Sequence, residues 1–122
     1  MRRPERGSVT VVTAAIAGVM VVLTMGAADL GKVLIVRERA RAAADAAALA
    51  AAQELALPSE TTPRDQAAFY ADRNGGELTE CTCEAGTLEA RVQVRVAIGH
   101  LFLMSDLRSI TADARAVVDV PA

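Results

Sequence analysis

Apolar and polar positions follow three successive patterns along this chain, and each change of pattern marks a new element. From Gly7 to Ala28 (GSVTVVTAAIAGVMVVLTMGAA) there is no alternation, because none of the 22 residues carries a charge. A helix of that length rises roughly 33 Å, enough to cross a bilayer core of about 30 Å. From Lys32 to Leu57 (KVLIVRERARAAADAAALAAAQELAL) the pattern becomes helical, with neither Gly nor Pro. Ala, Leu, Arg, Glu and Gln are all strong helix formers. Val33, Val36, Ala40, Ala43, Ala44, Ala47 and Ala51 fall on one smooth face, and Arg37, Glu38, Arg41 and Asp45 on another, where Arg41 and Asp45 are spaced to pair at i,i+4. Gly31 is a weak break, so the two segments read as one rod of roughly 75 Å between Ser8 and Leu57. Pro58 ends it.

Beyond Pro58 the segment PSETTPRD is a linker. Thr62 is placed to cap a second, short helix that opens at Pro63, carries Asp65 in its first turn and ends at Asn74-Gly75-Gly76. The period then falls to two. Residues 88–96 (LEARVQVRV) alternate strictly, which predicts a half-buried strand extending to about residue 98. Ile110, Ala112, Ala114, Ala116, Val118 and Val120 alternate with polar partners and predict another strand over 110–120. Residues 77–83 (ELTECTC) form a weaker strand, joined to the next through the turn Glu84-Ala85-Gly86-Thr87. Residues 99–108 (GHLFLMSDLR) are an apolar connection with room for a short helix.

These elements predict an α+β fold. A long N-terminal helix, membrane span continuing into an Ala-rich helix, is followed by a short second helix and a small three-stranded antiparallel sheet packed on the helix. The sheet's apolar face, with Val92, Val94 and Val96, needs a cover, and the alanine face of the long helix is the one available. The expected divisions are residues 1–7 as a cytoplasmic leader, 8–28 as the transmembrane helix, 29–57 as its extracytoplasmic extension, and 58–122 as a small extracytoplasmic α+β region.

Three readings apply to the apolar run: a buried core helix, a secretory signal cut near Ala28 that releases a soluble binding module, and a retained single-pass anchor. The run is longer than the usual apolar stretch of a signal, about 7–15 residues, which favours the anchor. Arg2, Arg3 and Arg6 precede it, which places the N-terminus in the cytoplasm and the C-terminus outside, in the cell membrane. Lys32, Arg37, Arg39 and Arg41 beyond the run make that bias modest. Membrane lipid is the first expected partner. Thr10, Ala14 and Gly18, spaced by four, would allow close approach of another helix, and Ala27 and Gly31 repeat the spacing.

Composition narrows the function further. The net charge of -2 leaves no basic field for nucleic acid. Phe69, Tyr70 and Phe102 are the only aromatics in 122 residues, so a dense core of large side chains cannot form. His100 has no metal-ligating neighbours in sequence, the glycines cradle no phosphate, and His100 with Ser105-Asp106 is too local to be a triad. Neither a catalytic site nor a cofactor is expected. Cys81-Thr82-Cys83 is the one reactive-looking cluster. On a regular strand the two α-carbons would lie about 6.6 Å apart with parallel side chains, so a bond between them requires a kink. A disulfide, free buried thiols and half of a metal site all remain open, and an extracytoplasmic location favours the disulfide.

The layout is similar to that of type IV pilins and pseudopilins. The stretch Arg37-Glu38-Arg39-Ala40-Arg41-Ala42-Ala43-Ala44-Asp45-Ala46-Ala47-Ala48-Leu49-Ala50-Ala51-Ala52, directly behind an apolar helix opened by Gly-Ser, resembles the TadE/TadG-like proteins of tight-adherence (Flp) pilus systems. The resemblance covers roughly residues 6–57. It implies a structural, minor pilin-like or pseudopilin-like component of a pilus assembly or secretion apparatus. Such a component is anchored in the membrane, with other apparatus subunits as partners and self-association through the N-terminal helix as a further possibility. Prepilins are cut after a glycine with a glutamate five residues on. Here Gly7-Ser8 is the candidate processing pair, but Val12 holds the glutamate's position.

Overall fold

In the computed structural model, which describes residues 3–119 with side chains from Gly7 onward, one helix accounts for nearly half of the chain. This is α1, Arg3–Ala56, 54 residues without a break. Gly31 does not interrupt it. The leader residue Arg2 and the strand position Val120 lie outside the described residues. After the linker, α2 spans Pro63–Arg73. Thr62 caps it as its sequence predicts, with its hydroxyl accepting from the Asp65 amide at 3.1 Å. Three strands follow: β1 Glu77–Thr82, β2 Glu89–Ala97 and β3 Ser109–Val117. They form one antiparallel sheet in the order β1-β2-β3.

The packing follows from the alternation in β2. Ala90, Val92, Val94 and Val96 point inward and are buried. Their neighbours across the β2–β3 ladder, Ala116, Ala114, Ala112 and Ile110, line the same face. That face rests on α1, where Ala40, Ala43, Ala44, Ala47 and Ala51 are fully buried. Alanine leaves no side chain beyond Cβ, so the sheet approaches the helix backbone closely without large residues to fill a gap. α2 adds Ala67 and Ala71 to the same core. Because both the sheet and α2 pack on α1, more than half of the helix circumference is covered between Ala40 and Glu54, including Ala48, Ala50 and Ala52. A second cluster continues toward the apolar end of α1 and contains Val36, Ala40, Val96, Ile98 and Leu101.

Tight joints hold the layers in place. Gly76, just before β1, sits where any Cβ would run into Val94 Cγ1 and come within 3.2 Å of the Ala43 Cβ. Its neighbour Gly75 turns the chain at φ +80°. At the other end of the helical pair, the Glu54 carboxylate accepts from the Ser59 amide at 2.6 Å and the Ser59 hydroxyl at 2.7 Å, closing the link from α1 to α2. The Ser59 hydroxyl, its amide and Thr61 hold the Glu54 carboxyl below its ordinary pKa, outweighing burial.

Three local expectations are corrected. Residues 99–108 form no helix; they run as an irregular loop with turns. Arg41 pairs at 3.8 Å with Glu38, one turn back, and not with Asp45. Strand β1 is shorter than 77–83 and its register shifts between Leu78 and Glu80. That irregularity puts Leu78 opposite Val94 and Cys81 opposite Val92, so both contribute to the inner face.

The outer face of the sheet is solvated and carries ion pairs. Glu77 meets Arg95 at 2.9 Å, and Glu89 is gripped by Arg91 and, at 2.8 Å, by Arg115. The Arg91 hydrogen bond is the chief reason that the Glu89 carboxyl titrates below its ordinary value; partial burial opposes it and the Arg115 charge reinforces it.

Two predictions follow from this packing. Ala47→Leu or Ala51→Leu should destabilise the full chain in detergent by about 1–3 kcal/mol in urea unfolding, through overpacking. Arg37→Ala, on the exposed face, should change it by no more than about 0.5 kcal/mol. Equal losses in the two classes would mean that the sheet does not dock on α1. For pH, the Glu89 carboxyl has a folded pKa below its unpaired value of 4.5, so its contribution is complete above that pH. It is lost as the pH falls through the folded pKa. Glu89→Gln should therefore flatten part of the acid limb in a stability-against-pH series and lower stability at neutral pH without changing its pH dependence there. An unchanged acid limb would count against the pairing.

Candidate functional site: the apolar half of α1 and the loop docked on it

The apolar run has a different relation to the fold from the Ala-rich half. Among the described residues, α1 is the one helix long and apolar enough to cross a membrane, and none of its apolar window is buried. Val9, Val12, Ile16, Val19, Val22 and Leu23 are all more than half exposed. The run therefore contributes nothing to this chain's own core.

Where the run ends, the chain places a single acid. Asp29 lies on the same side of α1 as Val33, Val36 and Ala40, since steps of four, seven and eleven residues return to one face. Its side chain is only 2% exposed. Its carboxylate accepts three consecutive backbone N–H groups from the loop between β2 and β3: Phe102 at 2.8 Å, Leu103 at 2.6 Å and Met104 at 3.2 Å. One turn further along α1, the Lys32 ammonium donates to the His100 carbonyl at 2.7 Å. Lys32 passes so close to Gly99 that a Cβ there would lie 3.0 Å from its Nζ. The base of the loop is closed by the Ile98 amide donating to the Arg108 carbonyl at 2.8 Å, and Leu101 is buried beside Val36 and Ile98.

This clamp explains why residues 99–108 are not helical. Amides that point at one carboxylate cannot also bond to carbonyls four residues back. The loop's conformation is dictated by a residue about seventy positions away, and no local pattern in GHLFLMSDLR reveals it. The available signal was an acid at the edge of an uncharged run, a position where burial is costly unless a partner exists.

The remaining candidate residues are dispersed. Cys81 and Cys83 are bonded to each other, with α-carbons 5.5 Å apart. β1 stops at Thr82, so Cys83 leaves the ladder and the two side chains can converge. Both sulfurs pack against the edge of the core, far in sequence from the loop clamp. Gly7 and Ser8 lie within α1 and are exposed. Thr10, Ala14, Gly18 and Ala27 are exposed and Gly31 is half-buried; a side chain added at Gly7, Gly18 or Gly31 would meet nothing within 4 Å. A helix turning once per 3.6 residues puts Thr10, Ala14 and Gly18 about a third of a turn from Ala27 and Gly31. They are two short stripes, not a single seam. His100 contributes its carbonyl, not its ring, to the clamp. Among the described residues no group of three or more His, Cys, Asp or Glu side chains is arranged to hold a metal ion.

Comparison with known proteins bears on the long helix. Residues 7–54 match the family model described as putative Flp pilus-assembly TadE/G-like. The matched stretch takes in the apolar run, the Asp29 clamp residue and the buried alanine face, and ends two residues before α1 does. No curated protein and no solved structure matches the chain.

Proposed function

We propose that the chain is a minor pilin-like or pseudopilin-like structural subunit of a Tad/Flp-type pilus assembly or secretion apparatus. It is held in the cell membrane as a single pass by residues 8–28, with its N-terminus cytoplasmic and the folded region outside. The observation that carries this reading is the division of one continuous helix. The family match covers it almost end to end, yet one half is buried under the chain's own sheet and the apolar window of the other has no buried residue. A helix so divided couples a folded head to lipid and to neighbouring subunits. Its own sheet occupies the alanine face, so contacts with other subunits fall to the exposed half. There Thr10, Ala14 and Gly18 allow close approach of a second helix, from another copy or from a different apparatus subunit. An extracytoplasmic head also suits the Cys81–Cys83 bond.

Carbonate-washed membranes from cells making a Gly18→Cys chain provide the test. The chain should stay in the pellet at its full mass, and mild oxidation should give a cross-linked product of about twofold or greater mass. Ile16→Cys, on the opposite side of the helix, should give little. A cytoplasm-only reporter fused after Ala122 should be silent. Recovery in the supernatant, or a mature chain beginning at Asp29, would overturn the anchor. Equal cross-linking at the two positions would remove the packing stripe.

A further inference from the structure

The loop clamped by Asp29 displays an apolar surface that the fold does not use. Phe102 is 68% exposed, Leu103 51%, Met104 40% and Leu107 39%. Four together on one loop are a concentrated patch. They do not face open space at random. Leu103 Cδ1 lies over Gly26, 3.6 Å from where a Cβ would stand. Phe102 faces the last turns of the apolar run across a shallow groove of 360 Å³ lined by Met20, Val21, Thr24, Met25 and Ala28. The patch is thus continuous with the uncovered surface of α1.

We infer that this loop is a membrane-surface wedge: Phe102, Leu103 and Met104 enter the outer leaflet beside the last turns of the span, and lipid acyl chains fill the groove. The inference rests on the anchored reading given above. Its occupant is fixed by continuity, because the same groove has residues of the span as its other wall. Met20 to Ala28 covers roughly 12 Å along the helix, so the loop sits at the depth of the headgroup–acyl boundary. An irregular loop at that depth normally exposes backbone N–H groups that lipid cannot satisfy. Here the three amides at the tip, Phe102, Leu103 and Met104, are all taken by the Asp29 carboxylate. The clamp and the apolar tip are two independent features that make sense together only if the tip leaves water. Lys32, Asp106 and Arg108, around the loop base, are placed for the headgroup layer. The wedge gives the head a second point of contact with the bilayer, beside the helix, and so fixes its rotation about the helix axis.

The sequence lacks Trp, so single-Trp reporters have no background. Full chains carrying Phe102→Trp, Val19→Trp or Phe69→Trp would be reconstituted in phosphatidylcholine vesicles. The lipid is brominated either near the headgroup end or near the terminus of its acyl chains. Val19→Trp reports the span, and Phe69→Trp, on α2, the distal head. Phe102 is exposed enough for the larger ring to disturb no packing. The expected result is quenching of Phe102→Trp by the shallow bromines, about threefold or more above Phe69→Trp, with Val19→Trp quenched best by the deep ones. Quenching of Val19→Trp with a water-exposed, unquenched Phe102→Trp overturns the wedge and leaves the anchor standing. Blue-shifted but unquenched emission from Phe102→Trp assigns the patch to another protein chain and also overturns it. Absence of quenching at Val19→Trp removes the anchored reading, and the wedge with it.

Discussion

Everything in this molecule depends on a helix surface that is almost featureless. Between Ala40 and Ala52 the covered side of α1 is all alanine, and the sheet and α2 both rest on it. The constraint is steric. With no side chain beyond Cβ, the partner backbones come close, and the valines of β2 supply most of the apolar volume between the layers. Dispersion and area burial then come from many short contacts rather than from a few large side chains. Such a core has no room to give. That is why Gly76 is needed where the chain leaves α2 for β1, and why volume added to the alanine face is the most damaging change available.

Asp29 links this core to the apolar half of the chain. The stripe that begins with Ala51 and Ala47 runs back through Ala40, Val36 and Val33 and ends in a buried carboxylate. There packing gives way to hydrogen bonding, and the β2–β3 loop is held by three amides and by Lys32. One face of a single helix therefore carries the sheet, then the loop, then the apolar run. Whatever the run is embedded in sets the position of the head directly, with no linker between them.

Elements with strong local signals were legible in the sequence. The uninterrupted helix, the Thr62 cap, the stop at Asn74-Gly75-Gly76 and the alternation in β2 and β3 each depend on neighbours a few residues away. The docking of Val92, Val94 and Val96 on the alanine face was legible too, because two apolar stripes in so small a chain have only each other to cover them. Features set by distant partners were not. The loop over 99–108 has a helix-compatible composition, yet Asp29 takes its amides. The β1 irregularity at Thr79 is required by register with β2, not by anything in ELTECTC. Asp29 itself appeared only as a charge at the end of the run. Its role depends on a loop that the chain reaches about seventy residues later.

Hydrogen exchange of the full chain in lipid nanodiscs, read by mass spectrometry, bears most directly on the claim that the alanine face is the foundation of the fold. If it is, amides of α1 from Ala43 to Ala52 and of β2 from Ala90 to Val96 belong to one cooperative unit. They should then exchange together, at the slow rate set by global unfolding. If the α1 amides exchange well before those of β2, the sheet persists without the alanine face beneath it, and the account fails.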